Sequence, residues 1–260
     1  MSTTRFAWRA RFARPGLGLV GPIALIVLWS LAHASHWVSP RLLPGPAETF
    51  GALWSDVIQG TLWPDLWATA LRTGDAFVIA AAAGIPLGVV LGSSPVVYRS
   101  AAFLIDFFRS TPATAMFPLF LLVFGIGEGS KIAVAAFSAW LVIVFNTAYG
   151  VMNARKTRIL AARVMGASNA RVLRDVMFFE SLPQTFVGLR LGVSYALVVI
   201  IVAEMFIGSS DGMGRRIIDA EQVYDLTQMY ATIIAMGCAG YAVNLGFLAL
   251  ERYFVKWAGK

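Results

Sequence analysis

Ionisable side chains within apolar segments are the first place to look for chemistry, because a charge at bilayer depth costs about 3 kcal/mol or more unless it is paired or solvated. Arg72 and Asp75 stand three residues apart in one such segment, and Asp106 and Arg109 three apart in the next. Each pair therefore shares a helix face. Two roles are open to them: structural ion pairs near the ends of spans, or groups that line a path or latch its gate. Arg190 has no acidic residue three or four positions away, which leaves it free to attract an anionic solute or to snorkel to headgroups. Glu204 lies near the far end of the same segment, where it could hold an adjoining loop shut or simply cap it. Pro86, Pro112 and Pro118 fall in the second and third apolar segments; each removes a helical hydrogen bond and favours a kink, a possible hinge.

Other chemistry is poorly supported. Gly125–Lys131 reads GIGEGSK, but a phosphate-binding loop needs four residues between its glycines and then Gly-Lys-Ser/Thr. The stretch reads as a turn between two spans, with no nucleotide site. His33 and His36 bracket one interfacial stretch, and no metal or catalytic set can be built on them. The single cysteine, Cys238, excludes an internal disulfide and reads as a small packing residue. No nucleophile–base or metal constellation suggests an enzyme.

The elements that position these residues are membrane spans. Charged residues are 13% of the 260-residue chain and apolar ones 58%, against about 25% charged in a soluble domain. Six segments have near the ~20 residues a spanning helix needs: 17–34, 66–92, 101–126, 132–152, 185–208 and 227–250. The first follows Arg5, Arg9, Arg11 and Arg14 but lacks a clean cleavage site, and reads as a retained span. With the N-terminus inside, 14 of 21 basic residues fall on inside segments and four (Arg41, Lys131, Arg215, Arg216) outside. That is a positive-inside bias. The net charge of +7 is topogenic; no aromatic-interleaved basic face points to nucleic acid. The expected layout is a basic cytoplasmic N-terminus (1–16), one transmembrane domain (17–250) and a cytoplasmic C-terminus (251–260). On the outside, Leu43-Pro44-Gly45-Pro46 stops any helix. Phe50, Leu53, Trp54 and Val57 then recur at helical spacing, predicting a surface helix over 47–58. Ala80–Gly84 and Gly88–Gly92 supply small residues for close helix packing.

One polar island interrupts this pattern. Arg155–Glu180, RKTRILAARVMGASNARVLRDVMFFE, carries six Lys/Arg in 26 residues between two apolar segments. A short helix over Ala161–Met165 should end at Gly166, which can take positive φ. Ser168 or Asn169 can cap a second helix through Leu173 and Met177. Leu182-Pro183 marks where the next apolar run begins.

Here the chain resembles a known family. Ala161-Ala162, Gly166 and Leu182-Pro183 look like the EAA loop of ABC-importer permeases, with Leu160 where the family usually has Glu. Leu43-Pro44-Gly45-Pro46, Arg109-Ser110-Thr111-Pro112, Phe117-Pro118-Leu119, Phe124–Gly127 with Lys131, Val202-Ala203-Glu204 and Gly212-Met213-Gly214 are similar to the subgroup serving sulfonates such as taurine, nitrate, bicarbonate and some thiamine-related pyrimidines. The resemblance implies an all-α, six-span type I permease of a bacterial inner membrane, with a cytoplasmic coupling helix and no catalytic residue. It implies that Ala161, Ala162, Arg163, Gly166, Ala167, Ser168 and Arg171 meet an ATPase, with Arg158 or Arg163 standing in for the missing Glu contact. A translocation path would include Arg190, Glu204, Asp106, Arg109 and Pro112. The implied partners are a second copy of the chain, two ATPase subunits that bind ATP and Mg, a periplasmic binding protein and membrane lipid. No cofactor is expected in the chain itself. The competing class, an ion-coupled transporter or channel, predicts carboxylates near mid-span, whereas Asp75, Asp106 and Glu204 sit toward span ends.

Overall fold

The computed structural model describes residues 17–255, which among themselves form helices and no strand. The basic residues Arg5, Arg9, Arg11, Arg14, Lys256 and Lys260 lie outside the described residues. In chain order the helices are α1 Leu17–Ala34, α2 Pro46–Gln59, α3 Trp63–Gly92, α4 Pro95–Ser110 and α5 Phe117–Phe124, followed by α6 Glu128–Met152, α7 Lys156–Val164, α8 Asn169–Val172, α9 Phe178–Phe206, α10 Met213–Gln222 and α11 Leu226–Phe254.

Helix α6 is the axis of the bundle. Ala135, Ala139 and Ile143 on it are wholly or nearly wholly buried, and they pack against Ala76 and Ala80 of α3 and Ala196, Ile200 and Ala203 of α9. The small-residue stripe on α3 explains the close approach: Arg72, Ala76, Ala80, Gly84, Gly88 and Gly92 recur every fourth residue and all face inward. A Cβ on Gly88 would come within 2.6 Å of the Thr147 side chain. Without a hydrophobic driving force between helices in lipid, such backbone proximity is what van der Waals packing needs. Contacts run in step, with Gly84 on Ile143, Gly88 on Thr147 and Gly92 on Val151, so α3 and α6 are parallel. Helix α9 runs against both, because Gly188 meets Asn146 while Gly192 meets Ile143.

Two of the expected segments, the third and the fifth, are modified. Four helices are long and apolar enough to cross a membrane, α3, α6, α11 and a continuous helix from Asn169 to Phe206. The third expected span is not one rod: α4 and the following Ala113–Phe124 segment meet at 92°. Pro112 sits at the break, Thr111 is extended at ψ 123° as a residue before proline must be, and Pro118 opens α5 at its first turn. The first expected span is α1, which is apolar but only 18 residues long. The fifth begins earlier than Leu182-Pro183 suggested, because α8, a π-helical turn over Leu173–Met177 and α9 form one unbroken path. Pro183 lies inside it. Pro86 likewise leaves α3 continuous.

Around this core, α2 covers one end of the bundle: Leu53 and Val57 pack with Leu62, Met213 and Met236, while Trp54 faces outward. Trp29 of α1 donates to the Pro44 carbonyl at 2.9 Å and stacks on Tyr230 of α11. His33 meets the Leu43 carbonyl at 2.8 Å, a structural contact. Cys238 is exposed on α11 rather than packed.

Candidate functional site

The α2 end of the bundle is closed by a cluster of charges. Arg72, one of the inward residues of the α3 stripe, does not meet Asp75, which is exposed on another face. Its guanidinium instead donates to Glu128 at the start of α6, to Glu204 of α9 at 2.7 Å and to Asp211 of the following loop. Glu204 is fully buried and accepts further hydrogen bonds from the Thr69 hydroxyl at 2.9 Å and the Gly214 N–H at 2.9 Å. Lys131, 1% exposed, pairs with Glu128 at 2.8 Å and donates to Ser209. The loop between α9 and α10 is thereby strapped to α3 and α6. Gly214 is required there by close approach: a Cβ would stand 2.2 Å from the Ile201 carbonyl. Of this cluster Arg72 and Glu204 were candidates on sequence, Arg72 with Asp75 as its apparent partner. The acids that Arg72 does meet come from α6, α9 and the loop after it, and no local spacing reveals them.

A second layer lies above it. Arg216 of α10 bridges Asp56 of α2 at 2.8 Å and Asp65 of α3 at 3.5 Å. The Gly212 N–H donates to Asp65 at 2.9 Å. Burial pushes the Asp56 carboxyl up, but donation from Gln228, Thr61 and Arg216 outweighs it and leaves the group below the usual carboxylate range.

The polar island sits at the opposite end. Gly166 has φ +83° with open space around its Cβ position, so the backbone angle alone calls for glycine. Ser168 caps α8, its hydroxyl accepting from the Arg171 N–H at 3.4 Å. These two features agree with the sequence. Ala161, Arg163, Gly166, Ser168 and Arg171 are exposed and Ala167 partly so, whereas Ala162 is buried against its own chain and offers no surface to a partner. Beside Phe179 at the start of α9, the exposed large apolar groups of the island are Leu160, Val164 and Met165 at the elbow, at 59%, 89% and 80%. Leu160 and Val164 are one turn apart on one face, a spacing visible in the sequence but hidden behind the alanines. Arg158 is committed to Glu180, which also lies 3.8 Å from Arg155, so α7 is tied to α9. Arg163 has no ion partner among the described residues.

The remaining candidates fall in two places. Arg109 and Pro112 line a cavity at the break between α4 and α5, with Asp106 3.9 Å from Arg109 and largely exposed. Arg190 does not line that cavity; it is partly exposed on α9 and has no ion partner among the described residues. Glu204, Arg109 and Arg190 thus form no common site.

Comparison with known proteins agrees with this architecture. A family model described as a binding-protein-dependent transport system inner membrane component matches residues 84–260. The chain is 29% identical over 266 residues to the taurine transport system permease protein TauC of Escherichia coli, covering 100% of this chain and 96% of TauC. It is 29% identical over 243 residues to the putative aliphatic sulfonates transport permease protein SsuC of Bacillus subtilis, covering 92% of this chain and 87% of SsuC. Among solved structures, an inward-facing form of the MetNI methionine ABC transporter matches with a TM-score of 0.67 at 19% identity, over 76% of this chain and 98% of that one.

Proposed function

The chain belongs to the family of binding-protein-dependent transport system inner membrane components, and from that premise we propose that two copies of it form the pore of an importer for a small sulfonate. Members of this family are permease subunits, not enzymes; ATP hydrolysis belongs to a separate subunit, and a binding protein delivers the solute. An ion-coupled transporter is disfavoured by the family and by the carboxylates, since Asp75 and Asp106 are exposed and Glu204 is wholly engaged.

In this reading the ATPase takes the α7–Gly166–α8 elbow. The observation that carries it is the exposed apolar face of Leu160, Val164 and Met165 on an otherwise polar island. Apolar groups of that size, unpartnered in water, fit a groove on a soluble subunit. Leu160 places an aliphatic contact where relatives usually have Glu, and Arg163 and Arg171 supply rim charges. The distribution of basic residues puts this island and both termini in the cytoplasm, so the α2 end with its charge cluster faces the binding protein. Binding of ATP draws the two elbows together and re-aims the spans, alternating access between the two sides. The names of TauC and SsuC support a sulfonate as cargo.

Co-purification tests the reading. The tagged permease should retain its ATPase, and Gly166→Val should lose it while still inserting, because a β-branched residue resists φ near +83°. A Gly166→Val variant that keeps both ATPase and transport would sink the docking assignment.

A further inference from the structure

The break in the third span opens a cavity of about 580 Å³ between the end of α4, α6 and α9. Its walls include Ser138, Val142 and Asn146 of α6 and Leu191, Tyr195 and Val199 of α9. These positions are near the middle of both long helices.

The polar groups on this wall divide by what they already bind. Asn146 is already held: its amide donates one N–H to the Val142 carbonyl at 2.8 Å and its oxygen accepts from Gln184 at 2.8 Å. Thr111 donates to the Phe107 carbonyl at 3.0 Å. Arg109 is different. Its guanidinium lies 4.0 Å over the Phe145 ring, and the nearest carboxylate oxygen, of Asp106, is at 3.9 Å, beyond hydrogen-bond reach. Ser138 is 6% exposed, yet among the described residues its hydroxyl makes no hydrogen bond. The Tyr195 phenol is also without a hydrogen-bond partner among them. The Ser138 hydroxyl is thus uncommitted and opens on the cavity, where it can donate to whatever occupies the space.

What the cavity lacks is equally informative. No carboxylate faces it; the available groups are a cation and hydroxyl donors. Such a wall suits a ligand rich in acceptors and carrying negative charge. The phenyl face of Phe145 attracts the Arg109 guanidinium without accepting a conventional N–H hydrogen bond from it.

We propose that this cavity is a solute site within the permease, taking a small oxyanion such as a sulfonate, with Arg109 supplying charge and Ser138 and Tyr195 supplying hydrogen bonds. It deepens, and rests on, the assignment of the chain as a permease. A charged solute crossing at mid-depth meets a compensating charge there, as translocation of an anion demands. Arg190, outside the cavity, is not part of the site. The break at Pro112 is what creates the space, since an unbroken third span would leave no gap between α4 and α5.

The test uses the whole transporter in lipid nanodiscs, with Cys238→Ser and Ser138→Cys. The probes are 2-sulfonatoethyl methanethiosulfonate, itself an alkyl sulfonate, and its trimethylammonioethyl counterpart, each normalised to its rate with a free thiol. The anionic reagent is expected to react about tenfold faster, the scale of one partly screened charge at short range. Arg109→Gln, which keeps a side chain over Phe145, should abolish the preference, and Arg109→Lys should restore most of it. A preference unchanged in Arg109→Gln, or a cysteine at 138 that neither reagent reaches because a second copy covers it, overturns the proposal. Retention of the ATPase in the same preparation reports separately on the permease assignment: its loss with the anionic preference intact would condemn the coupling reading and spare the site.

Discussion

Arg72 and Glu204 are 132 positions apart in the chain and 2.7 Å apart in the fold, and the carboxylate is wholly buried. Two charges in such a setting are tolerable because every oxygen of Glu204 is met: Thr69 and the Gly214 N–H complete what Arg72 begins. The pair closes one end of the bundle and fixes the loop that follows α9.

Losing the Glu204 carboxylate leaves Arg72 with Glu128 and Asp211 but strips the buried Thr69 hydroxyl and Gly214 N–H of their acceptor, at a cost of about 1–3 kcal/mol. Glu204→Ala should lower the thermal midpoint of the solubilised protein accordingly. Glu204→Gln keeps one acceptor oxygen, which can serve Thr69 and the Gly214 N–H while its NH2 faces Arg72, and should lose less. Equal losses in the two variants would mean that the charge, not the hydrogen-bond set, holds the cluster.

Gly88 tests the packing of the core. A methyl there would meet the Thr147 Cβ at 2.6 Å and the Val144 carbonyl at 2.8 Å. Gly88→Ala should destabilise by about 1–3 kcal/mol as α3 is pushed from α6. Gly129→Ala, whose new methyl meets nothing closer than 3.9 Å, should be neutral or slightly stabilising. Size-exclusion profiles and melting curves of the two variants should therefore diverge.

Asp56 gives a pH dependence with a defined sign. Its folded-state carboxyl is held below the usual range, so the link it makes is fully present above the unfolded value of about 3.9 and weakens as pH falls below it. Melting temperature should drop on acidification from about pH 4 to pH 3, and Asp56→Asn should reduce that slope. A steeper acid loss in Asp56→Asn would assign the opposite sign.

Orientation can be read from accessibility. In a Cys238→Ser background, Glu221→Cys in α10 should react with an impermeant thiol reagent added outside intact cells. Ser168→Cys should react only after permeabilisation. The reverse pattern would invert the whole map and remove the ATPase from its proposed site.

The elbow was legible in the sequence because its determinants are local: Gly166 for a positive φ, Ser168 for a cap. The stripe from Arg72 to Gly92 was partly legible, since a period of four small residues is a pattern one helix displays by itself. What lay beyond reach is non-local. Asp75 stands three residues from Arg72 and looks like its partner, yet Arg72 sits on the buried stripe and finds acids on α6, α9 and the loop instead. Pro86 and Pro112 look alike in sequence; the chain passes through one and breaks at the other, where Thr111 and a 3₁₀ turn accompany the proline. Ala162 matched the family motif but packs inward, and the groups left outward were its less conspicuous neighbours Leu160 and Val164.

The continuous helix from Asn169 to Phe206 has 38 residues, a rod of roughly 57 Å. One end carries the elbow's cap at Ser168, and the other carries Glu204. Near its middle, Gly188 and Gly192 hold it close to α6, as Gly150 of α6 does at Ser181. A rod held at its centre behaves as a seesaw: tilting it displaces its two ends in opposite directions. If the elbow is where an ATPase pulls, as proposed, the charge cluster moves in the opposite sense, and the Leu173–Met177 π-helical turn lies at the pulled end. On that reading, opening at one face and closing at the other are a single motion.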